Sequence, residues 1–193
     1  MMLGNKIKLI ISDFDGTLVN TFNANFYAYQ KAFEIIGKNL TQEKYNECFG
    51  LRFNEFMSLM GIIDQNSMSL IKQLKHKFYP DYFNLFIPNK ILIELIRSFH
   101  LSGGMTALAS TASRGNIVEA LKYIGATDIF DLIYCGEDVT KAKPHPEIYN
   151  KIISYYGVTP SETIVFEDSA IGVSAARAAG VNYIIIDKNF YGN

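Results

Sequence analysis

The sequence predicts an α/β protein: a parallel five-stranded sheet with helices on both faces, interrupted after its first strand by a small helical domain. Three observations carry this. Short apolar runs rich in β-branched or aromatic residues recur at 7–12, 105–109, 132–135, 163–166 and 183–186. Helical periods separate the last four of them, and strands alternating with helices of that length imply parallel neighbours joined by helical crossovers. The stretch 20–87, by contrast, holds helical periods and no convincing strand.

The run 7–12 is the first strand and leads straight into Asp13. Residues 1–11 are too short and too polar for a signal peptide or membrane span, so a cytoplasmic location is expected. In the insert, Phe22, Phe26, Tyr29, Phe33 and Ile36 repeat at helical spacing before Gly37. Phe53, Phe56, Met57 and Met60 give a second apolar stripe. Leu70, Ile71, Leu74 and Phe78 give another before Pro80, so the insert reads as a bundle of roughly four helices whose stripes form its core. Beyond residue 88, helices are marked by Ile91, Leu92, Leu95, Ile96 and Phe99, then by Ile117, Val118, Leu121 and Ile124 before Gly125. Ile148, Tyr149, Ile152, Ile153 and Tyr156 mark the next, before Gly157. The closing glycines suit helix C-caps. The expected division is an α/β core of 1–19 and 88–193, with 20–87 inserted.

With 193 residues, the chain suffices for one well-buried core and a small accessory domain. Hydrophobic residues at 49% and charged residues at 19% place it among ordinary globular proteins. A formal net charge of −1 leaves no basic field to neutralise a long nucleic acid, whereas a small anionic metabolite needs only a local positive site. Neither nucleic acid nor membrane is an expected partner, and a monomer or weak homodimer is. Cys48 and Cys135 lie in unrelated segments without metal-ligand spacing and read as reduced, buried thiols.

In an open α/β sheet, ligands bind beyond the carboxyl ends of the strands, where strand order reverses. Four groups of polar residues fall there. Asp13-Phe14-Asp15-Gly16-Thr17-Leu18 follows the first strand and puts two carboxylates two residues apart on a loop whose glycine permits close approach. A calcium loop would also begin Asp-x-Asp, but its fifth and twelfth positions fall here on Thr17 and Ala24, which do not supply its ligands. Ser110 and Thr111 end the next strand; Thr111 or Ser113 suits the cap of the following helix, leaving Ser110 to donate to a ligand. In Lys141-Ala142-Lys143-Pro144-His145-Pro146, two prolines restrict the backbone around Lys143. Glu167-Asp168-Ser169 follows the fourth strand. One acid there would serve as a helix cap, but Asp13, Asp15, Glu167 and Asp168 gathered at one edge require a cation to offset their repulsion.

Asp-Phe-Asp-Gly-Thr-Leu, Leu-Ala-Ser, Lys-Pro-His-Pro-Glu-Ile-Tyr and Phe-Glu-Asp-Ser-Ala-Ile-Gly-Val resemble, in order, the four motifs of the haloacid dehalogenase superfamily. The resemblance runs from Asp13 to Gly180 and points to the branch of β-phosphoglucomutase, phosphoglycolate phosphatase and sugar-phosphate phosphatases. It implies a Rossmann-like core with a helical cap inserted after the first motif.

The same resemblance implies a magnesium-dependent phosphatase acting on a small phosphorylated metabolite. Asp13 would be the nucleophile and Asp15 the acid and base. Asp13, the Asp15 carbonyl and Asp168 would hold magnesium, with Glu167 a further ligand. Lys143 and Ser110 would steady the transferring oxygens, and Thr111 would join Arg52, in Phe49-Gly50-Leu51-Arg52, in binding substrate. The cap would exclude water and select the leaving group. Asn20 replaces the Asp of many relatives, and Asn25 the cap-hinge His of the mutase relatives, which disfavours a phosphotransferase. Asp15 disfavours a dehalogenase. A β-phosphoglucomutase-like transferase and a non-catalytic binding protein of the same fold are the alternatives.

Overall fold

The computed structural model describes residues 6–49, 51, 53–187 and 191. The chain divides into two compact units, one of residues 1–20 and 87–193 and the other of residues 21–86.

The larger unit is built on a parallel sheet of β1 (Leu9–Ser12), β4 (Met105–Ala109), β5 (Leu132–Tyr134), β6 (Thr163–Glu167) and β7 (Asn182–Ile185), in the order β5-β4-β1-β6-β7. The α/β class and the parallel five-stranded sheet follow the sequence reading. The observed strand ends differ from it by one or two residues at β1, β5, β6 and β7, and only β4 matches at both ends, because apolar composition alone does not say which residues join the ladder. Every residue of β1 is buried, as expected of a central strand covered on both faces. Leu9 and Ile11 join a cluster with Ala107, Val165, Tyr149, Ile152 and Ala175, so one face of the sheet packs against α7 (Glu147–Tyr156) and α8 (Ala170–Ala178). On this unit α5 (Lys90–Leu101) packs against β4, and α6 (Arg114–Tyr123) follows β4 toward β5.

A short antiparallel pair went unrecognised in the sequence. β2 (Val19–Asn20) pairs with β3 (Ile87–Pro88) where the chain leaves the core and returns to it. Two residues on each side are too few for a periodicity signal. Asn89 secures the return: its N–H donates to the Leu18 carbonyl at 2.9 Å, its amide to the Thr17 carbonyl at 3.4 Å, and its Oδ1 accepts from the Leu92 N–H, capping α5.

The smaller unit comprises α1 (Phe22–Ile35), α2 (Gln42–Cys48), α3 (Phe53–Leu59), α4 (Gln65–Phe78) and a 3-10 segment, Tyr79–Leu85. Phe26, Phe33, Leu40, Tyr45, Phe56 and Ile71 form its core, with the Phe33 and Phe56 rings stacked 5.8 Å apart. Leu70, part of the apolar stripe read from sequence, is exposed while Ile71 is buried. Both free cysteines, Cys48 and Cys135, are buried. Among the described residues, no helix is long and apolar enough to cross a membrane.

Candidate active site

β1 lies at the centre of the sheet, and the strand order reverses about it. Its carboxyl end therefore opens where an α/β sheet binds ligands. The Asp13 N–H donates to the Phe166 carbonyl at 3.0 Å, so the residue extends the ladder with β6 before the chain turns. The Phe14 carbonyl then accepts from the N–H groups of Leu18 and Val19, and the Gly16 N–H donates to the Val19 carbonyl. The ring of Phe14 is buried, while Asp15 is half-buried on the same turn.

Gly16 is required twice over. Its φ of +87° lies in the left-handed region, and a Cβ would come within 2.0 Å of Asp168 Oδ2. The close approach read from sequence is thus made to Asp168 of the fourth motif. Thr17 completes the join by donating its hydroxyl to Asp168 Oδ1 at 3.2 Å. A Cβ on Gly172 would likewise meet the Glu167 carboxylate at 2.0 Å, which explains a glycine inside α8.

Lys143 is fully buried and reaches into the site from the proline-rich loop. Its Nζ donates to Asp13 Oδ1 at 2.8 Å, to Glu167 Oε1 at 2.5 Å and to the Ala109 carbonyl at 2.9 Å. The carboxylate of Glu147 holds that loop from the start of α7, accepting from the N–H groups of Thr140 and Lys141 at 2.9 Å each. The Thr140 bond first, then the Lys151 ammonium 3.1 Å away and the Lys141 bond, keep the Glu147 carboxyl down at about 2. Two groups that sequence reasoning missed support Glu167. Tyr149, read only as part of a core stripe, donates its hydroxyl to Oε1 at 2.7 Å, and Ser169 donates to Oε2 at 3.2 Å. The one available signal was that a buried tyrosine needs a partner for its hydroxyl.

Among the described residues, the carboxylate oxygens of Asp13, Glu167 and Asp168 lie within 4.8 Å of one another. Burial pushes the Asp13 carboxyl well above the ordinary range; Lys143 opposes this, and Glu167 and Asp168 add to it. Burial and the neighbouring Glu167 raise Asp168 to about 6, against the Thr17 hydrogen bond. Burial alone would depress the Lys143 ammonium, but Asp13, Tyr149 and Glu167 outweigh it and hold the group well above its usual value. Two of the three carboxylates, Asp13 and Glu167, thus pair with one ammonium, and a largely buried donor set of oxygens alone suits a hard divalent cation.

Ser110 is buried at the end of β4, where its Oγ accepts from the Ala112 N–H at 3.0 Å and keeps its own proton to donate. Thr111 is exposed. Neither Thr111 nor Ser113 bonds the start of α6: the Arg114 N–H donates to the Glu137 carboxylate at 3.1–3.2 Å. A side chain 23 residues away thus replaces the local cap. Arg52 lies outside the described residues. In the smaller unit, the Asn25 amide donates to Thr21 Oγ1 at 3.0 Å and to the Tyr79 hydroxyl at 3.5 Å.

Residues 10–186 match the profile of the haloacid dehalogenase-like hydrolases, and the chain belongs to that family. It is a phosphoric monoester hydrolase. It is 27% identical over 184 residues to the phosphorylated carbohydrates phosphatase of Thermotoga maritima, covering 92% of this chain and 84% of that one. It is 25% identical to the pyrophosphatase PpaX of Halalkalibacterium halodurans, covering 94% and 84% of the two chains. The structure of CbbY from Rhodobacter sphaeroides in complex with phosphate superposes with a TM-score of 0.85 at 25% identity, covering 95% of this chain and 88% of that one.

Proposed function

We propose that the chain hydrolyses a small phosphorylated metabolite, a sugar phosphate or a phosphoglycolate-like compound, through an aspartyl-phosphate on Asp13 with magnesium as cofactor. One observation carries the reading: Asp13, at the carboxyl end of the central strand, lies 2.8 Å from a buried lysine and shares its site with the Glu167 and Asp168 carboxylates. The phosphatase relatives support it, and the name of the Thermotoga maritima relative favours a phosphorylated carbohydrate.

Asp13 Oδ attacks phosphorus and the bond to the leaving alcohol oxygen breaks, while Asp15 gives that oxygen its proton. Asp15 then takes a proton from water as the water oxygen attacks phosphorus. The Asp13–phosphorus bond breaks, and the carboxylate and inorganic phosphate are released. Lys143, with Ser110 donating beside it, steadies the negative oxygens, and Glu167 and Tyr149 hold the ammonium in place. Asp13, Asp168 and the Asp15 carbonyl would hold magnesium, with Glu167 completing the acidic set. When bound, the ion offsets the repulsion between the nucleophile and the anionic substrate. Arg52 and Thr111 are assigned to substrate binding.

Phosphate release from a generic aryl phosphate tests the proposal. Release should require magnesium, stop with chelator, and disappear in Asp13→Asn, whose amide cannot attack. Full activity in excess chelator, or turnover by a contaminant-free Asp13→Asn preparation, would sink it. A screen of phosphorylated sugars and glycolate then identifies the substrate.

A further inference from the structure

Ser110 and Lys143 come from different loops, and one short turn, Gly136–Asp138, is tied to both. On the Ser110 side, the Gly136 N–H donates to the Ala112 carbonyl at 3.0 Å. Ala112 is also the residue whose N–H donates to Ser110 Oγ, so a short run of bonds joins that hydroxyl to the turn. Contact there is close: a Cβ on Gly136 would come within 2.7 Å of the Thr111 carbonyl oxygen. Arg114 closes the loop from its far end with two parts of itself. Its N–H donates to the Glu137 carboxylate, and its guanidinium donates to Asp138 Oδ2 at 2.5 Å and to the Ile133 carbonyl at 3.1 Å. On the Lys143 side, Lys151 Nζ donates to the Asp138 carbonyl at 2.7 Å and pairs with Glu147, whose carboxylate holds the Thr140 and Lys141 N–H groups.

The side chains of Arg114 and Asp138 are only partly buried, and an ion pair so open to water contributes little to stability. Its geometry matters more. A planar guanidinium that bonds a carboxylate and a backbone carbonyl together fixes the direction of the chain it belongs to. The Ser110 hydroxyl can donate to a phosphoryl oxygen only within a narrow range of distance and angle, and a displacement of about 1 Å can cost about a hundredfold in rate. We infer that Arg114 is a positioning residue that acts through Ser110: by clamping the 110–114 loop to the Gly136–Asp138 turn, it aims the Ser110 hydroxyl at the transferring phosphoryl group. This rests on the phosphatase reading of the Asp13 site and adds to it a residue that touches neither substrate nor the acidic cluster.

The test is a double-mutant cycle in the full chain: Arg114→Met, which keeps the stem and the backbone N–H but removes the guanidinium, Ser110→Ala, and the two together. Three quantities are measured: kcat/KM for an aryl phosphate, the competitive inhibition constant of inorganic phosphate, and the urea midpoint. Each single variant should lower kcat/KM about tenfold, the scale of one hydrogen bond to a charged group, and weaken phosphate inhibition alongside. The double variant should fall no further than Ser110→Ala alone, because the arginine acts through that hydroxyl. Equal losses from Arg114→Met in the presence and absence of Ser110 overturn the assignment. So does an Arg114→Met or a Ser110→Ala enzyme with unchanged kinetics, or a loss that tracks the urea midpoint. Arg114→Lys keeps the charge without the fork and should recover the loss only in part; full recovery would mean that the charge acts and not the geometry, and overturns it too. If the wild-type chain neither releases phosphate nor binds it, the phosphatase reading fails and this inference falls with it; a normal wild-type enzyme with additive variants removes the inference alone.

Discussion

At the scale of single residues, the site depends on charges that burial makes costly and neighbours make tolerable. Lys143 is held by Asp13 and Glu167, and removing one partner of such a buried group typically costs about 3–5 kcal/mol. Lys143→Ala should therefore lose stability on that scale and lose turnover with every substrate, both readable from urea denaturation and aryl phosphate assays. Asp13→Asn should behave differently. It removes one charge from a crowded acidic set, so the melting temperature of the metal-free protein should hold or rise while activity vanishes. Tyr149→Phe leaves Glu167 its lysine but removes a donor to a charged oxygen, for about 1.5–3 kcal/mol of stability. Denaturant midpoints should show this loss, accompanied by a lower kcat as Lys143 loses its fixed neighbour.

At the scale of elements, the first-motif loop depends on a helix that begins more than seventy residues later. Asn89 caps α5 with one side-chain atom and holds the Thr17 carbonyl with another, while its N–H holds Leu18. Asn89→Ala should cost about 1–2 kcal/mol through the lost cap. It should also lower kcat, because the turn carrying Asp15 and Gly16 loses its brace. A stability loss with unchanged kcat would confine Asn89 to capping. The Lys143 loop shows the same economy, since Glu147 begins α7 and ties down the segment before it.

At the scale of the whole molecule, the acidic cluster links stability to pH and metal. The fold raises Asp168 from the ordinary 3.8 to about 6, so the folded chain binds a proton more readily than the unfolded one between those values. The resulting stability is fully present below about 3.8 and is lost as pH rises through about 6; Asp13 shifts in the same direction. Metal-free protein should therefore melt at a higher temperature at pH 5 than at pH 7. The half-buried carboxylates Glu147 and Glu162, held at about 2, lose their contribution only below the ordinary 4.5 and leave this window unaffected. Magnesium should reverse the trend, because it binds the ionised carboxylates: at a hundred times its Kd it adds about 2.7 kcal/mol. That gain should disappear below about pH 6. Calcium, with a larger and looser shell, should stabilise the fold yet support little turnover. Calorimetry at both pH values, with chelator, magnesium or calcium, checks each part.

The sequence by itself determined the α/β class, the run of parallel strands and the carboxylates and lysine at their ends. Strand and helix periods are local, Glu167 ends the fourth of the strands in chain order, and Asp13, Lys143 and Asp168 stand directly beyond or between those elements. Only the tertiary structure decided how the groups serve one another. Gly16 makes room for Asp168, Tyr149 turns from a core residue into a support for Glu167, and Glu137 takes over the cap expected from Thr111 or Ser113. The two-residue pair of β2 and β3 was equally hidden. The reason is physical: periodicity fixes which face of an element is apolar, whereas a hydrogen bond across the fold depends on where distant segments meet.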